Sequence, residues 1–130
     1  MQKRAAAVII KGGEILLMRR IKDRREYFVF PGGGVKENET VQQALVREIK
    51  EELDLDIKSW KLLFEIENQG RQESYFLITE FSGTPKLSGE EKERMNENNQ
   101  YYPTFIKLKE TDNLNLLPEA AKQRIKSLSL

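Results

Sequence analysis

Apolar residues in the first third of the chain come in short runs broken by charge. Residues 5–10 and 14–18 flank Lys11-Gly12-Gly13, and a glycine pair between two such runs predicts a hairpin, so the chain is expected to open with two paired strands. After the charged stretch 19–26, residues 27–30 read as a third strand from their aromatic and β-branched content, stopped by Pro31-Gly32-Gly33-Gly34. The period then changes. Val41, Leu45, Ile49 and Leu53 recur every four residues, and Thr40 with Gln43 forms a capping-box pair, which predicts a helix over 41–53. Residues 60–66 and 74–81 flank Asn68-Gln69-Gly70 and predict a second hairpin. The polar stretch 83–100 predicts a long loop, 103–108 a last short strand, and 118–128 a closing helix with proline in its first turn. This order predicts an α/β (α+β) domain with a mixed β-sheet covered by helices. With 130 residues and no linker, repeat or low-complexity tract, one unit over 1–130 is expected.

Charge and composition narrow the chemistry. Lys and Arg number 22 against 21 Asp and Glu, a net charge of +1, so no overall field draws the chain to nucleic acid or to a membrane. The absence of cysteine excludes disulfides, thiolate nucleophiles and zinc-thiolate sites and fits a reducing compartment, which makes the cytoplasm the default location. The first ten residues start basic and turn apolar, but Lys11, Glu14, Arg19 and Arg20 interrupt before a membrane span or export signal is complete. The chain also lacks histidine, so the usual neutral-pH base and the commonest nitrogen metal ligand are both missing. Acid-base or metal chemistry here falls to carboxylates.

Those carboxylates have a place. At roughly 100° per residue, Glu48, Glu51 and Glu52 share one side of the predicted helix, and it is the apolar side, with Glu52 between the directions of Val41 and Leu45. Three glutamates on a helix ordinarily form a solvated face. Carboxylates crowded at the edge of a buried surface instead repel one another and lose hydration, which favours protonation or a cation. Mg2+ suits an all-oxygen site that also meets phosphates, and Mn2+ can substitute. The glycines before the helix let the backbone approach an anion or metal, and a carbonyl of Gly32 is a candidate further ligand.

Residues 33–55 resemble the Nudix box: Gly33, Glu39, then Arg47, Glu48, Ile49, Glu51, Glu52 and Leu55 fall at the family's spacing, with Asp54 where the family has glycine. That glycine ends the helix in a left-handed conformation, which aspartate tolerates better than most residues. The resemblance implies an α/β/α sandwich and metal-dependent hydrolysis of a small-molecule nucleoside diphosphate derivative, with water attacking phosphorus. It implies Glu48, Glu51 and Glu52 as metal ligands or base, Arg47 as the residue that orients a glutamate, and Glu39 as its ion-pair partner. It also implies phosphate contact at Gly33 and Gly34 and substrate contact at Arg20. Members differ in the general base, and a loop glutamate among Glu90, Glu91, Glu93 and Glu97 is a further candidate. The resemblance leaves a homodimer open.

Simpler roles compete at several of these positions. A glycine run without context is an ordinary turn, and Arg19, Arg20, Arg24 and Arg25, which could cradle phosphates, stand at a charged hairpin end of the kind that is ordinarily solvated. Tyr101 and Tyr102 suit packing on a strand better than stacking on a base, and Trp60 suits the core. Two other classes of function also compete. A nucleotide-sensing module typically loses box glutamates, and all are present. A nucleic-acid-binding relic calls for a basic stripe, and none is evident. A cysteine zinc site, found in NADH-cleaving members, is missing. So is the proline that follows the box in many ADP-ribose-cleaving members.

Overall fold

Ala5 to Ile9 are all 0% exposed and Ile15 to Met18 at most 2%, so these runs are covered on both faces and read as continuous apolar stretches, not alternating ones. In the computed structural model, which describes residues 2–128 and 130 except the side chains of Glu90 and Glu91, the cover comes from a helix on each side of paired sheets. Strands β1 (Gln2–Val8), β5 (Gly32–Gly34), β6 (Asp56–Asn68) and β7 (Arg71–Ser82) form one mixed sheet in the order β5-β1-β7-β6, with β1 and β7 parallel. The second sheet is built on β3 (Glu14–Lys22). Strand β8 (Asn99–Lys107) pairs along one edge of β3, and β2 (Ile10–Lys11) and β4 (Arg25–Val29) share the other. The short β9 (Leu116–Leu117) runs parallel to β4.

Helix α1 (Val41–Leu53) packs Ala44, Leu45, Ile49 and Leu53 against Ala5, Ala7, Ile9, Leu16 and Met18. Helix α3 (Glu119–Ser127) packs Ala121 and Ile125 against the opposite side, with Ala6, Val8, Ile15, Leu17, Phe64 and Tyr75. Alternate residues of one strand thus serve different layers, and the result is the α/β/α sandwich that the sequence implied. Among the described residues no helix is long and apolar enough to cross a membrane.

Local signals locate α1 at the predicted residues. Thr40 accepts from the Gln43 N–H at 3.0 Å and the Gln43 side chain accepts from the Thr40 N–H at 2.9 Å, which satisfies donors left open at a helix start. Asp54 ends the helix in the left-handed region, φ 56° and ψ 34°, as expected for a residue standing where glycine is usual.

Several expectations are corrected. The chain does not open with two paired strands, because the run 5–10 divides at Ile9: β1 joins β5 and β7, and only β2 forms the glycine hairpin with β3. The charged stretch 19–26 is itself a hairpin, with β3 running past Arg20 to Lys22 and Asp23-Arg24 turning at φ 49° and 68°. The glycines are not simply a loop, since β5 pairs Ala5 with Gly33. Residues 83–100 contain the short helix α2 (Gly89–Arg94) and the start of β8. The strand expected at 103–108 is the longer β8. It is not the last strand, because a 3-10 turn (Leu108–Asn113) and β9 follow it. Pro118 stands at the N-cap of α3, just before its first turn.

Candidate active site

Arg47 organises the box. Its Nε and Nη2 donate to the two carboxylate oxygens of Glu39 at 2.8 and 2.9 Å, a forked pair, and Nη2 also donates to the Gly34 carbonyl at 2.9 Å. The remaining terminal nitrogen donates to Glu48 at 2.6 Å and to Glu51 at 3.2 Å. One guanidinium therefore ties the loop before the helix to two of the helix's own glutamates. Hydrogen bonds from Arg47 and from the Lys36 N–H hold the Glu39 carboxyl down at about 2, and Glu39 in turn raises the Arg47 guanidinium above its ordinary value.

The other box residues are arranged around this hub. Glu48 is half-buried and lies over Gly33, where even a methyl group would collide with its carboxylate. Glu52 is buried at 8% exposure and, with Gly32, lines a cleft of about 870 Å³. Glu51 turns outward, its side chain 55% exposed, so the carboxylates are graded in burial and do not crowd one buried edge. Among the described residues no three acidic side chains converge on a single cation-sized point, and Arg47 bonds Glu48 and Glu51 in this arrangement.

Across the cleft from the box, β3 carries Arg20 between two tyrosines. The strand register sets it opposite Tyr27 on β4 and Tyr101 on β8, so three neighbouring strands present Tyr, Arg and Tyr in a row. The guanidinium carbon is 4.2 Å from the Tyr101 ring centre and 5.4 Å from that of Tyr27, and Nη2 donates to the Tyr101 hydroxyl at 2.7 Å. Arg20 Nε is buried without a hydrogen-bond partner among the described residues. Arg25 also lines the cleft, whereas Arg19 pairs with Glu26 at the surface and Tyr102 is exposed. Trp60 packs partly buried against the α1 layer. Glu93 and Glu97 are exposed and outside the cleft lining, and the side chains of Glu90 and Glu91 lie outside the described residues.

Sequence reasoning overlooked Glu73. It is 1% exposed, borders the cleft, and accepts from Tyr75 Oη at 2.8 Å, Arg71 at 2.9 Å and Asn68 at 3.3 Å. The available signal was a carboxylate set at the edge of the apolar stretch 74–81, with an arginine two residues before it. Burial and hydrogen bonding to Glu73 push the Tyr75 phenol well above its ordinary range.

Known proteins resemble the chain in sequence and in fold. A stretch of 59 residues is 37% identical to an 8-oxo-dGTP diphosphatase of Proteus vulgaris, covering 42% of this chain and 53% of that protein. A stretch of 56 residues is 39% identical to an RNA pyrophosphohydrolase of Hydrogenovibrio crunogenus, covering 43% of this chain and 33% of that protein. The similarity thus spans about half the length of the first relative and a third of the second. In fold, a MutT NUDIX hydrolase of Burkholderia pseudomallei matches at TM-score 0.76 over 98% of each chain, at 22% identity. The family model described as the NUDIX domain matches residues 1–124, and the chain belongs to that family.

Proposed function

We propose that this chain is a divalent-cation-dependent pyrophosphohydrolase that cleaves a phosphoanhydride bond in a nucleoside diphosphate linked to another group. Nucleoside triphosphates, nucleotide sugars and dinucleotides are the substrate classes to test. The observation that carries the reading is the Arg47 hub, which holds Glu39, Glu48 and the Gly34 carbonyl in one rigid arrangement beside the cleft that Glu52 lines. The names of the two relatives, a diphosphatase and a pyrophosphohydrolase, agree with it.

The donor set suits a hard cation. Glu48, Glu51, Glu52 and the Gly32 carbonyl offer only oxygen, and the chain has no histidine or cysteine to favour a softer metal. A buried carboxylate such as Glu52 gains from a cation at its side, and Mg2+ is the expected one, with Mn2+ as substitute. When bound, the cation neutralises phosphate charge as the bridging bond breaks. The protein's own part is positional. Gly33 leaves room for the Glu48 carboxylate, and Arg47 fixes its orientation. Glu48 or Glu51 orients or deprotonates the attacking water, Gly33 and Gly34 allow close approach of phosphate, and Arg20, which lines the cleft, offers its guanidinium to an acceptor on the substrate. The cleft's volume is in the range that accepts a nucleotide-sized ligand.

The test is release of phosphate and nucleotide from a panel of these compounds, with Mg2+, with Mn2+ and with chelator, for the wild type and Glu52→Gln. Metal-dependent turnover lost in the variant supports the reading, and saturable nucleotide binding without product contradicts it.

A further inference from the structure

The last turn of α1 is closed by a segment remote in sequence. A helix leaves its final carbonyls without partners of its own. Here three consecutive ones are taken by 86–88: the Lys86 N–H donates to the Leu53 carbonyl at 3.1 Å, the Ser88 N–H to the Glu52 carbonyl at 2.9 Å, and the Ser88 hydroxyl to the Glu51 carbonyl. Gly89 follows at φ +66° with its α-carbon so near the Glu51 carbonyl that a Cβ would stand 2.8 Å from that oxygen. Asp54, standing where the box has glycine, adds an ion pair of 3.4 Å to Lys86 and another of 3.1 Å to Lys50 on α1. Ser88 and Gly89 thus meet the backbone of Glu51 and Glu52, and α2 begins at Gly89.

We infer that Ser88 is a positioning residue for the reaction: by bonding the Glu51 and Glu52 carbonyls, beside the Lys86 bond to Leu53, it fixes α2 against the end of α1 that bears the candidate metal ligands. The inference rests on the pyrophosphohydrolase reading. The exposed Asp54–Lys86 pair adds little by itself, since surface ion pairs are weak and screened by salt. The backbone bonds and the close approach at Gly89 carry the docking, and of the three hydrogen bonds the one from the Ser88 hydroxyl is the one that a side-chain change can remove.

The experiment compares wild type, Ser88→Ala and Ser88→Thr in amide hydrogen exchange over 84–94 without substrate, in thermal melting, and in steady-state kinetics with Mg2+. In Ser88→Ala, loss of the hydroxyl is expected to speed exchange of the segment about tenfold. The loosened geometry should lower kcat about tenfold, with KM within about twofold. Tm should move by no more than about 4 °C. Ser88→Thr, which keeps the hydroxyl, should restore both exchange and kcat. Faster exchange with unchanged kcat overturns the inference, as does a fall in kcat that threonine does not rescue. A wild type that turns over nothing overturns the hydrolase reading and the positioning role with it. That failure is distinguishable from failure of the anchor, because exchange is read without substrate.

Discussion

The carboxylate of Glu48 lies against the α-carbon of Gly33, where a Cβ would stand 2.3 Å from both the carboxylate carbon and one of its oxygens. Glycine at this position is therefore a demand of the site, not of the β5 backbone: the missing side chain is the space that the glutamate occupies. The same glutamate is held from the other direction by Arg47 at 2.6 Å. Glu48 has little freedom left, which is the condition for a positioned ligand or base.

Gly33→Ala should push Glu48 out of this position while leaving α1 and both sheets intact. A loss in kcat of about a hundredfold is expected, the scale for misplacing a catalytic group by an ångström. Circular dichroism should remain native. Full activity in the alanine variant would mean that the Glu48 position is irrelevant to turnover.

Glu39 gives the stability a pH dependence of defined sign. Its folded value, about 2, lies below the ordinary 4.5, so the carboxylate stabilises the fold fully above pH 4.5 and progressively less as pH falls from there through about 2. Glu39→Gln should flatten the stability profile within that acid window. Urea titrations at a series of pH values measure it, and parallel profiles for wild type and variant would contradict the assigned pairing.

Thr40 and Gln43 cap each other at the start of α1. Thr40→Ala should cost about 1 kcal/mol in urea unfolding, the usual cost of losing an N-cap side chain. Since α1 carries every box glutamate after Glu39, activity should decline at temperatures where the wild type remains folded.

Arg20 faces the cleft from β3, away from the box, and its Nε is buried without a hydrogen-bond partner among the described residues. Arg20→Met should raise KM about tenfold with kcat within about twofold, the signature of lost uniform binding. A fall in kcat alone, with KM unchanged, would place Arg20 in the chemistry.

Legibility in the sequence followed locality. The α1 boundaries, its cap and its left-handed end at Asp54 were readable because each signal lies within a few residues of its effect. The second hairpin was readable for the same reason, with Gln69-Gly70 turning between β6 and β7. Strand partnership was not. Residues 5–10 look alike in composition, yet the chain changes sheets at Ile9, and only the parallel pairing of β1 with β7, some seventy residues away, decides that. The site divides in the same way. Arg47, Glu39 and the helix glutamates were legible as spacing, whereas Ser88 acquires its partners only when distant segments meet, and Glu73, although its partners Asn68, Arg71 and Tyr75 are near in sequence, is buried only by the packing of the fold. The grading of Glu48, Glu51 and Glu52 from buried to exposed was also hidden, since a helical wheel gives direction but not what covers each position.

The most direct test of the central claim is turnover of the nucleotide panel by Glu52→Gln beside wild type, with Mg2+ and with chelator. Wild-type hydrolysis that needs the cation, with kcat lower by about a thousandfold or more in a correctly folded variant, is the expected result for loss of a charge-stabilising group. Hydrolysis that survives either chelation or Glu52→Gln would contradict it.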